Sequence, residues 1–176
     1  MKIDFSQFSE IKSRQTEFYK ADRKNIETLS KKYEKDVIEK KLAPMYLKWI
    51  SPEVGYGIYA ITDIATGDFI GVYAGDLRAV RGLHDKVPDD VDYAWYYSID
   101  THDGKKLIID GKYCGNELRF INHANQPNTK RIDVIVGDRF YVCYVAQQPI
   151  SKDTQLTVSY GDGYWTSRNI SPNNVK

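Results

Sequence analysis

Asn122 and His123 sit in a polar run, Arg119-Phe120-Ile121-Asn122-His123-Ala124-Asn125-Gln126-Pro127-Asn128. A carboxamide beside an imidazole can hold a ligand, but in a loop it serves as readily for capping or packing. Three other segments carry residues of comparable promise: Gly55-Tyr56-Gly57, Tyr93-Ala94-Trp95-Tyr96-Tyr97 and Ser159-Tyr160-Gly161. A G-x-G between two strands is usually only a turn, so each segment alone says little. Some chemistries are disfavoured at once. His84, His102 and His123 are far apart and show no ligand-like spacing with cysteine or carboxylate, so no metal site is expected. Cys114 and Cys143 are the only cysteines and cannot by themselves form a thiolate zinc cage or a disulfide framework. No G-x-S-x-G nucleophile motif occurs, although hydrolase triads are defined by geometry rather than chain order.

The elements that must position these residues divide at Ala43-Pro44. From residue 4 to about 42 the chain has no Pro or Gly and is rich in helix formers. Apolar residues recur at Phe5, Phe8 and Ile11, then at Ile26, Leu29, Tyr33 and Val37. This predicts one long helix or two shorter ones, with a stripe too irregular for a heptad seam. Beyond Pro44 the texture turns to short β-branched and aromatic runs broken by Gly, Asp and Asn. Strands are expected at 45–50, 57–61, 68–73, 93–99, 107–110, 132–136, 139–146 and 155–158. Val136-Gly137-Asp138-Arg139 has the composition of a hairpin turn. Residues 81–92, with Asp85, Asp89, Asp90 and Asp92, form an acidic connection that is either solvated or one wall of a substrate groove. The domain expectation is a helical arm over 1–43, a main domain over 44–168 and a tail over 169–176.

Order and spacing say more than any one segment. Gly55, Gly57, Tyr73 and Gly75 come first; Arg119, Phe120, Ile121, Asn122, His123, Pro127 and Asn128 follow; Leu156, Tyr160 and Gly161 close the series. In this arrangement the chain resembles the SET-domain family of protein lysine methyltransferases, over roughly residues 46–165. The family's usual Ser-Cys after Asn-His is here Ala124-Asn125, and its G-E-E-L is Asp153-Thr154-Gln155-Leu156. The cysteine-rich, zinc-binding segment that often follows the Tyr-Gly is missing, so closure of the site falls to other residues, with Tyr164 and Trp165 as candidates. Two positions that often hold an aromatic limiting the number of methyls added carry Arg131 and Val158.

The resemblance implies a mostly β (α+β) fold, the SET-domain β-clip of several small sheets with a knot-like C-terminal threading, preceded here by the helical arm. It implies transfer of a methyl group from S-adenosylmethionine to a lysine. Such a transfer needs nitrogen, methyl carbon and sulfur in line, so positioning supplies much of the acceleration. A free lysine has a pKa of about 10.4 and is neutral in only about 1 molecule in 2500 at pH 7, equivalent to roughly 4 to 5 kcal/mol. An apolar channel favours the neutral amine, with cation–π attraction partly opposing. By resemblance, Tyr160 is the catalytic residue. Gly55, Tyr56, Gly57, Tyr93, Asn122, His123 and Trp165 serve the cofactor. Arg119 either reaches the cofactor carboxylate or forms a structural salt bridge, and Tyr73 with Tyr96 or Tyr97 walls the lysine channel.

The 176 residues suffice for one domain plus an appendage. Net charge is +1, with +4 carried by residues 1–48 and −3 by the rest, and a mildly acidic main domain suits a basic peptide better than phosphates. The expected partner is a protein bearing a lysine, a histone tail or another basic peptide, without direct nucleic-acid or membrane binding. The arm packs on the main domain or makes a homodimer. With no apolar run of about 18 residues and no signal-like N-terminus, a soluble cytoplasmic protein is the default, with the nucleus and signal-less secretion into a host as alternatives. The rival function is a non-catalytic SET-like module that binds peptide or cofactor as a scaffold.

Overall fold

The computed structural model describes residues 17–80, 92–100 and 106–168. The helical stretch is realised as α1 (Glu17–Ile38), with a break in helical geometry at Asp22. Ten strands follow: β1 (Met45–Ser51), β2 (Gly55–Ala60), β3 (Phe69–Val72), β4 (Asp76–Val80), β5 (Ala94–Asp100), β6 (Lys106–Asp110), β7 (Asn122–His123), β8 (Thr129–Val136), β9 (Arg139–Ala146) and β10 (Thr157–Val158). A 3-10 turn (Glu117–Phe120) precedes β7, and a short helix α2 (Asp162–Arg168) follows β10. The expected mostly β fold of small sheets is therefore observed. The acidic connection lies outside the described residues except for Asp92, as do the first 16 residues and the tail.

Four small sheets carry the fold: β1-β2, β3-β9-β8, β4-β6-β5 and the parallel pair β7-β10. The hairpin expected at Gly137 joins β8 to β9, with Val136 opposite Arg139 and Gly137 at φ +63°. β9 is apolar at nearly every position because both of its faces are covered. Phe140, Val142, Tyr144 and Ala146 enter the main core with Ile58, Ile70, Tyr73, Leu107, Ile109 and Leu118. The alternate residues Cys143 and Val145 enter a second core with Phe69, Ile132, Val134 and the α1 residues Tyr33 and Val37. The helix is pinned as well as packed. Ser30 Oγ accepts a hydrogen bond from the Ile135 N–H at 2.8 Å, and the Tyr33 hydroxyl donates to the Gly67 carbonyl at 2.8 Å. Among the described residues, no helix is long and apolar enough to cross a membrane.

Gly75 shows why a glycine stands after Tyr73-Ala74. A Cβ there would lie 2.4 Å from the Asp110 carbonyl oxygen, so only glycine lets the two backbones approach this closely. That contact fixes the end of β6 against the segment that carries Tyr73.

Candidate active site

The parallel pairing of β10 with β7 brings Asn122 opposite Thr157 and His123 opposite Val158, and so places Tyr160 beside His123. Asn128 clamps the arrangement from below. Its Nδ2 donates to the Gln155 carbonyl at 2.8 Å, and its Oδ1 accepts from the Thr157 N–H at 2.8 Å. Asn128 is itself buried and both bonds are partly shielded from water, so this motif asparagine acts by locking β10 in place.

The His123 ring is fully engaged. Nδ1 accepts from the Tyr160 N–H at 3.2 Å, which leaves Nε2 as the protonated nitrogen facing Asn125 Oδ1 at 3.2 Å. Trp165 packs edge-on against the same ring at 4.8 Å and stacks on Tyr160 at 6.0 Å. The imidazole is thus a strut between β7, Tyr160 and α2. Arg168, in the last turn of α2, lies 3.9 Å from the Tyr164 ring centroid and reaches Asp92 at 3.4 Å. These contacts hold α2 over the end of β7.

Tyr160 is largely buried, and its hydroxyl donates to the Ile121 carbonyl at 2.8 Å. Burial pushes its phenol well above the ordinary tyrosine pKa, with the neighbouring Tyr164 and Tyr93 adding to the rise, so it stays neutral throughout the physiological range. Tyr73 is more deeply buried than Tyr160 and is raised by the same cause, and its hydroxyl donates to the Tyr93 carbonyl. In both tyrosines the proton is committed to a backbone carbonyl, which leaves the oxygen lone pairs free to accept.

Two further rings complete the cluster. Trp95 lies 6.2 Å from Tyr160 and 6.1 Å from Tyr144, and Tyr144 lies 6.2 Å from Tyr73. Neither Trp95 nor Tyr144 was singled out from the sequence. Tyr96, which was, is 43% exposed, while its neighbour Trp95 turns toward the cluster. The Tyr97 side chain lies outside the described residues. Arg131 stands opposite Tyr144 in the β8-β9 register, pairs with Asp133 at 3.1 Å and places its guanidinium 5.8 Å from the Trp95 ring centre. Val158 is buried in the main core.

On the other side of β7, Asn122 Nδ2 donates to the Tyr56 carbonyl at 3.1 Å, which ties β7 to the glycine turn. Gly55 has φ +76°, and among the described residues, its two chain neighbours aside, no atom lies within 4 Å of where its Cβ would be. Gly57 differs. Its missing side chain makes room for Gln155 and Ile50, whose tips would lie 2.6 and 2.7 Å from a Cβ. The Tyr56 ring contacts Trp49 at 5.1 Å and Phe120 at 6.0 Å, and Tyr93 meets Phe120 from another side at 6.0 Å. Arg119 donates to the carbonyls of Gly111 and Lys112 at 3.2 and 3.3 Å, with its guanidinium over Phe120. Its structural role therefore runs through backbone carbonyls, in place of the carboxylate that a salt bridge would use. Among the described residues, no group of three or more His, Cys, Asp or Glu could hold a metal ion.

The arrangement is a turn open at Gly55 with aromatic rings beside it, joined through Asn122 and His123 to a buried cluster of neutral phenols and an indole. It can hold a cationic or apolar group among rings and offer oxygen lone pairs to a donor. Comparison with known proteins agrees with this outline. A sequence model of the SET domain matches residues 55–161. The chain is 27% identical over 133 residues to the histone-lysine N-methyltransferase EHMT1 of Mus musculus, covering 73% of this chain and 10% of that protein. It is 28% identical over 122 residues to the histone-lysine N-methyltransferase SUVR4 of Arabidopsis thaliana, covering 60% of this chain and 25% of that protein. The aligned part thus spans a quarter or less of either relative. In three dimensions it is similar to the Neurospora SET domain protein DIM-5, a histone lysine methyltransferase, with a TM-score of 0.59 and 24% identity over 72% of this chain and 55% of that one, a likeness of fold. With the matched segment covering more than half of its length, the chain belongs to the SET-domain family.

Proposed function

We propose that this protein is a protein-lysine N-methyltransferase that uses S-adenosylmethionine, with residues 44–168 as its catalytic unit and a histone tail or another basic peptide as its substrate. The observation that carries the proposal is Tyr160: a neutral, partly buried phenol held on the Ile121 carbonyl at 2.8 Å, between the ring cluster and the segment tied to the glycine turn. The residues present fit the cofactor. The open position at Gly55 leaves room for its amino-acid end, and the rings of Tyr56, Phe120 and Tyr93 suit an adenine or a sulfonium cation. Asn122, His123 and Trp165 complete that side, and Arg119 shapes it through Phe120.

When bound, S-adenosylmethionine would supply an electrophilic methyl on sulfur, which would pass to the amine lone pair as the S–C electrons return to sulfur and the nitrogen gives up one proton. The chain does the rest by position. The contacting rings of Tyr73, Trp95, Tyr144 and Tyr160 form an apolar surround that would penalise the ammonium form of an amine brought beside Tyr160 and favour the neutral one. The Tyr160 oxygen, its proton spent on Ile121, offers lone pairs to an N–H or to the positive charge on the transferring methyl. Because the Tyr73 and Tyr160 phenols remain neutral, they do not trap the lysine as an ion pair.

The test is incubation with isotopically labelled S-adenosylmethionine and recombinant core histones, with lysates as a second substrate source, followed by mass spectrometry of the labelled lysines. Label on lysine that disappears when Tyr160 is replaced supports the proposal. Calorimetric binding of the cofactor without transfer to any protein would favour a scaffold role and refute the enzymatic one.

A further inference from the structure

Asn116 carries a side chain that its place in the chain does not explain. It stands at the N-cap of the 3-10 turn Glu117–Phe120 with extended backbone, φ −95° and ψ −175°, and asparagine is among the residues best suited to cap such a turn. Its carboxamide makes no capping hydrogen bond. It reaches instead to the outer edge of β3, where Nδ2 donates to the Val72 carbonyl at 2.8 Å and Oδ1 accepts from the Ala74 N–H at 3.4 Å. β3 is an edge strand with β9 on one side, and Tyr73 gives its own N–H to the Val142 carbonyl on that side at 2.8 Å. The peptide groups before and after Tyr73 therefore point away from β9, and one carboxamide answers both as a neighbouring strand would. The opposite orientation of the amide would set carbonyl against carbonyl and N–H against N–H, so donor and acceptor are assigned by their partners.

The grip matters because of what else the turn holds. Leu118 anchors it in the core at 0% exposure, and the chain runs on to Ile121, whose carbonyl receives the Tyr160 hydroxyl at 2.8 Å. One short segment thus fixes both the strand end that carries Tyr73 and the oxygen to which Tyr160 is bound. The two phenols are near neighbours, since burial first and Tyr160 next raise the Tyr73 phenol. We infer that Asn116 is a positioning residue, which sets the Tyr73 hydroxyl relative to Tyr160 by holding the peptide groups on both sides of Tyr73. The inference rests on the lysine methyltransferase reading. Tyr73 has two other restraints, its N–H on Val142 and its hydroxyl on the Tyr93 carbonyl, and neither ties it to the segment that holds Tyr160. Without Asn116 the strand end can pivot about the Val142 bond, and a misplacement of about 1 Å costs a positioned reaction about 100-fold.

The experiment measures transfer from labelled S-adenosylmethionine to recombinant core histones by the wild type, Asn116→Ala, Asn116→Asp, Tyr73→Phe and the Asn116→Ala/Tyr73→Phe double variant. Urea titration and calorimetry with S-adenosylhomocysteine accompany it. Asn116→Ala is expected to lower kcat about tenfold or more with the calorimetric affinity unchanged. Aspartate caps a turn as well as asparagine does but has no N–H for Val72, so Asn116→Asp should fall with the alanine variant. Wild-type kcat in Asn116→Asp would reduce the residue to a cap and overturn the inference. In the Tyr73→Phe background the alanine substitution should cost less than about threefold, because the hydroxyl that Asn116 positions is gone. Losses that multiply, or a kcat that merely follows the urea midpoint in both backgrounds, would show a structural role only and overturn the inference as well. Hydrogen exchange at the Ala74 amide, followed by NMR, reads the grip without turnover. It should quicken about fivefold in Asn116→Ala, the scale of one hydrogen bond, and an unchanged rate would show that no grip exists. No transfer by the wild type would instead refute the methyltransferase reading and the inference with it, while the exchange rate still decides the contact.

Discussion

Replacing Tyr160 by Phe separates what its hydroxyl does for the fold from what it does for the reaction. The hydroxyl makes one neutral bond, to the Ile121 carbonyl at 2.8 Å. Its loss costs about 0.5 to 1.5 kcal/mol, rising toward 2 if the carbonyl stays dry. A domain of this size is stable by roughly 5 to 15 kcal/mol, so the variant stays folded, with a melting point lower by about 2 to 6 °C. The effect on turnover is set by a different quantity. Removing a preorganised polar group that faces developing charge costs about 100-fold or more in kcat, equivalent to about 2.7 kcal/mol. The expected result is therefore a urea midpoint only slightly reduced, a kcat down by at least 100-fold and a cofactor affinity nearly intact. Steady-state kinetics, calorimetry and urea titration on the same preparation decide the matter. A kcat within threefold of wild type, or a fall in kcat that merely follows the folded fraction, would refute the assignment.

Three further predictions concern the supports of the site. In His123→Asn the amide oxygen lies where Nδ1 accepts from the Tyr160 N–H, whereas Gln places its oxygen one bond farther out. His123→Asn should accordingly keep about fivefold or more of the activity lost by His123→Gln, and equal kcat values would show that this bond does not position Tyr160. Asn128→Ala leaves the Gln155 carbonyl and the Thr157 N–H unpaired in the interior and should cost about 2 to 4 kcal/mol; an unchanged urea midpoint would count against the clamp. Buried Tyr73 and Tyr144 and the partly buried Tyr160 all have phenols raised above the ordinary value of about 10. Above that pH the unfolded chain has lost protons that the native one retains. Stability should thus be fully present below pH 10 and fall as pH rises beyond it, by about 1.4 kcal/mol per unit for each phenol. Urea midpoints at pH 9 and 11 should differ, and Tyr144→Phe should lessen the difference; midpoints independent of pH would exclude the effect.

Much of this was legible in the chain itself, for identifiable reasons. The β8-β9 hairpin announced itself because Gly137 stands between two long β-branched runs. The helix was visible from its composition, and the break at Asp22 falls in the polar interruption around residues 20–25. β4 went unrecognised because Asp76-Leu77-Arg78-Ala79-Val80 is short and half polar, and it gains its identity only from pairing with β6. β7 and β10 have two residues each, too few for any periodicity, yet their pairing sets Tyr160 beside His123. In β5, aromatic residues occupy Trp95, Tyr96 and Tyr97 in succession, so composition could not choose the phase, and a phase shifted by one residue reverses the inward face. Tyr144 was hidden differently. In a run as apolar as β9 it reads as core, and only the lack of a partner for its hydroxyl among the described residues sets it apart.

The four rings of the cluster stand at positions 73, 95, 144 and 160, on segments that neighbour one another only after the sheets have assembled. The β8-β9 hairpin can form early, since its partners lie a few residues apart. The contacts that bring Tyr73 to Tyr144, and Trp95 to Tyr160, close loops of about 65 to 70 residues and come late. The ring cluster in such a molecule is among the last features acquired during folding and the first forfeited on partial unfolding, so its loss, read by near-UV circular dichroism, should precede the disappearance of secondary structure when the protein is gently heated.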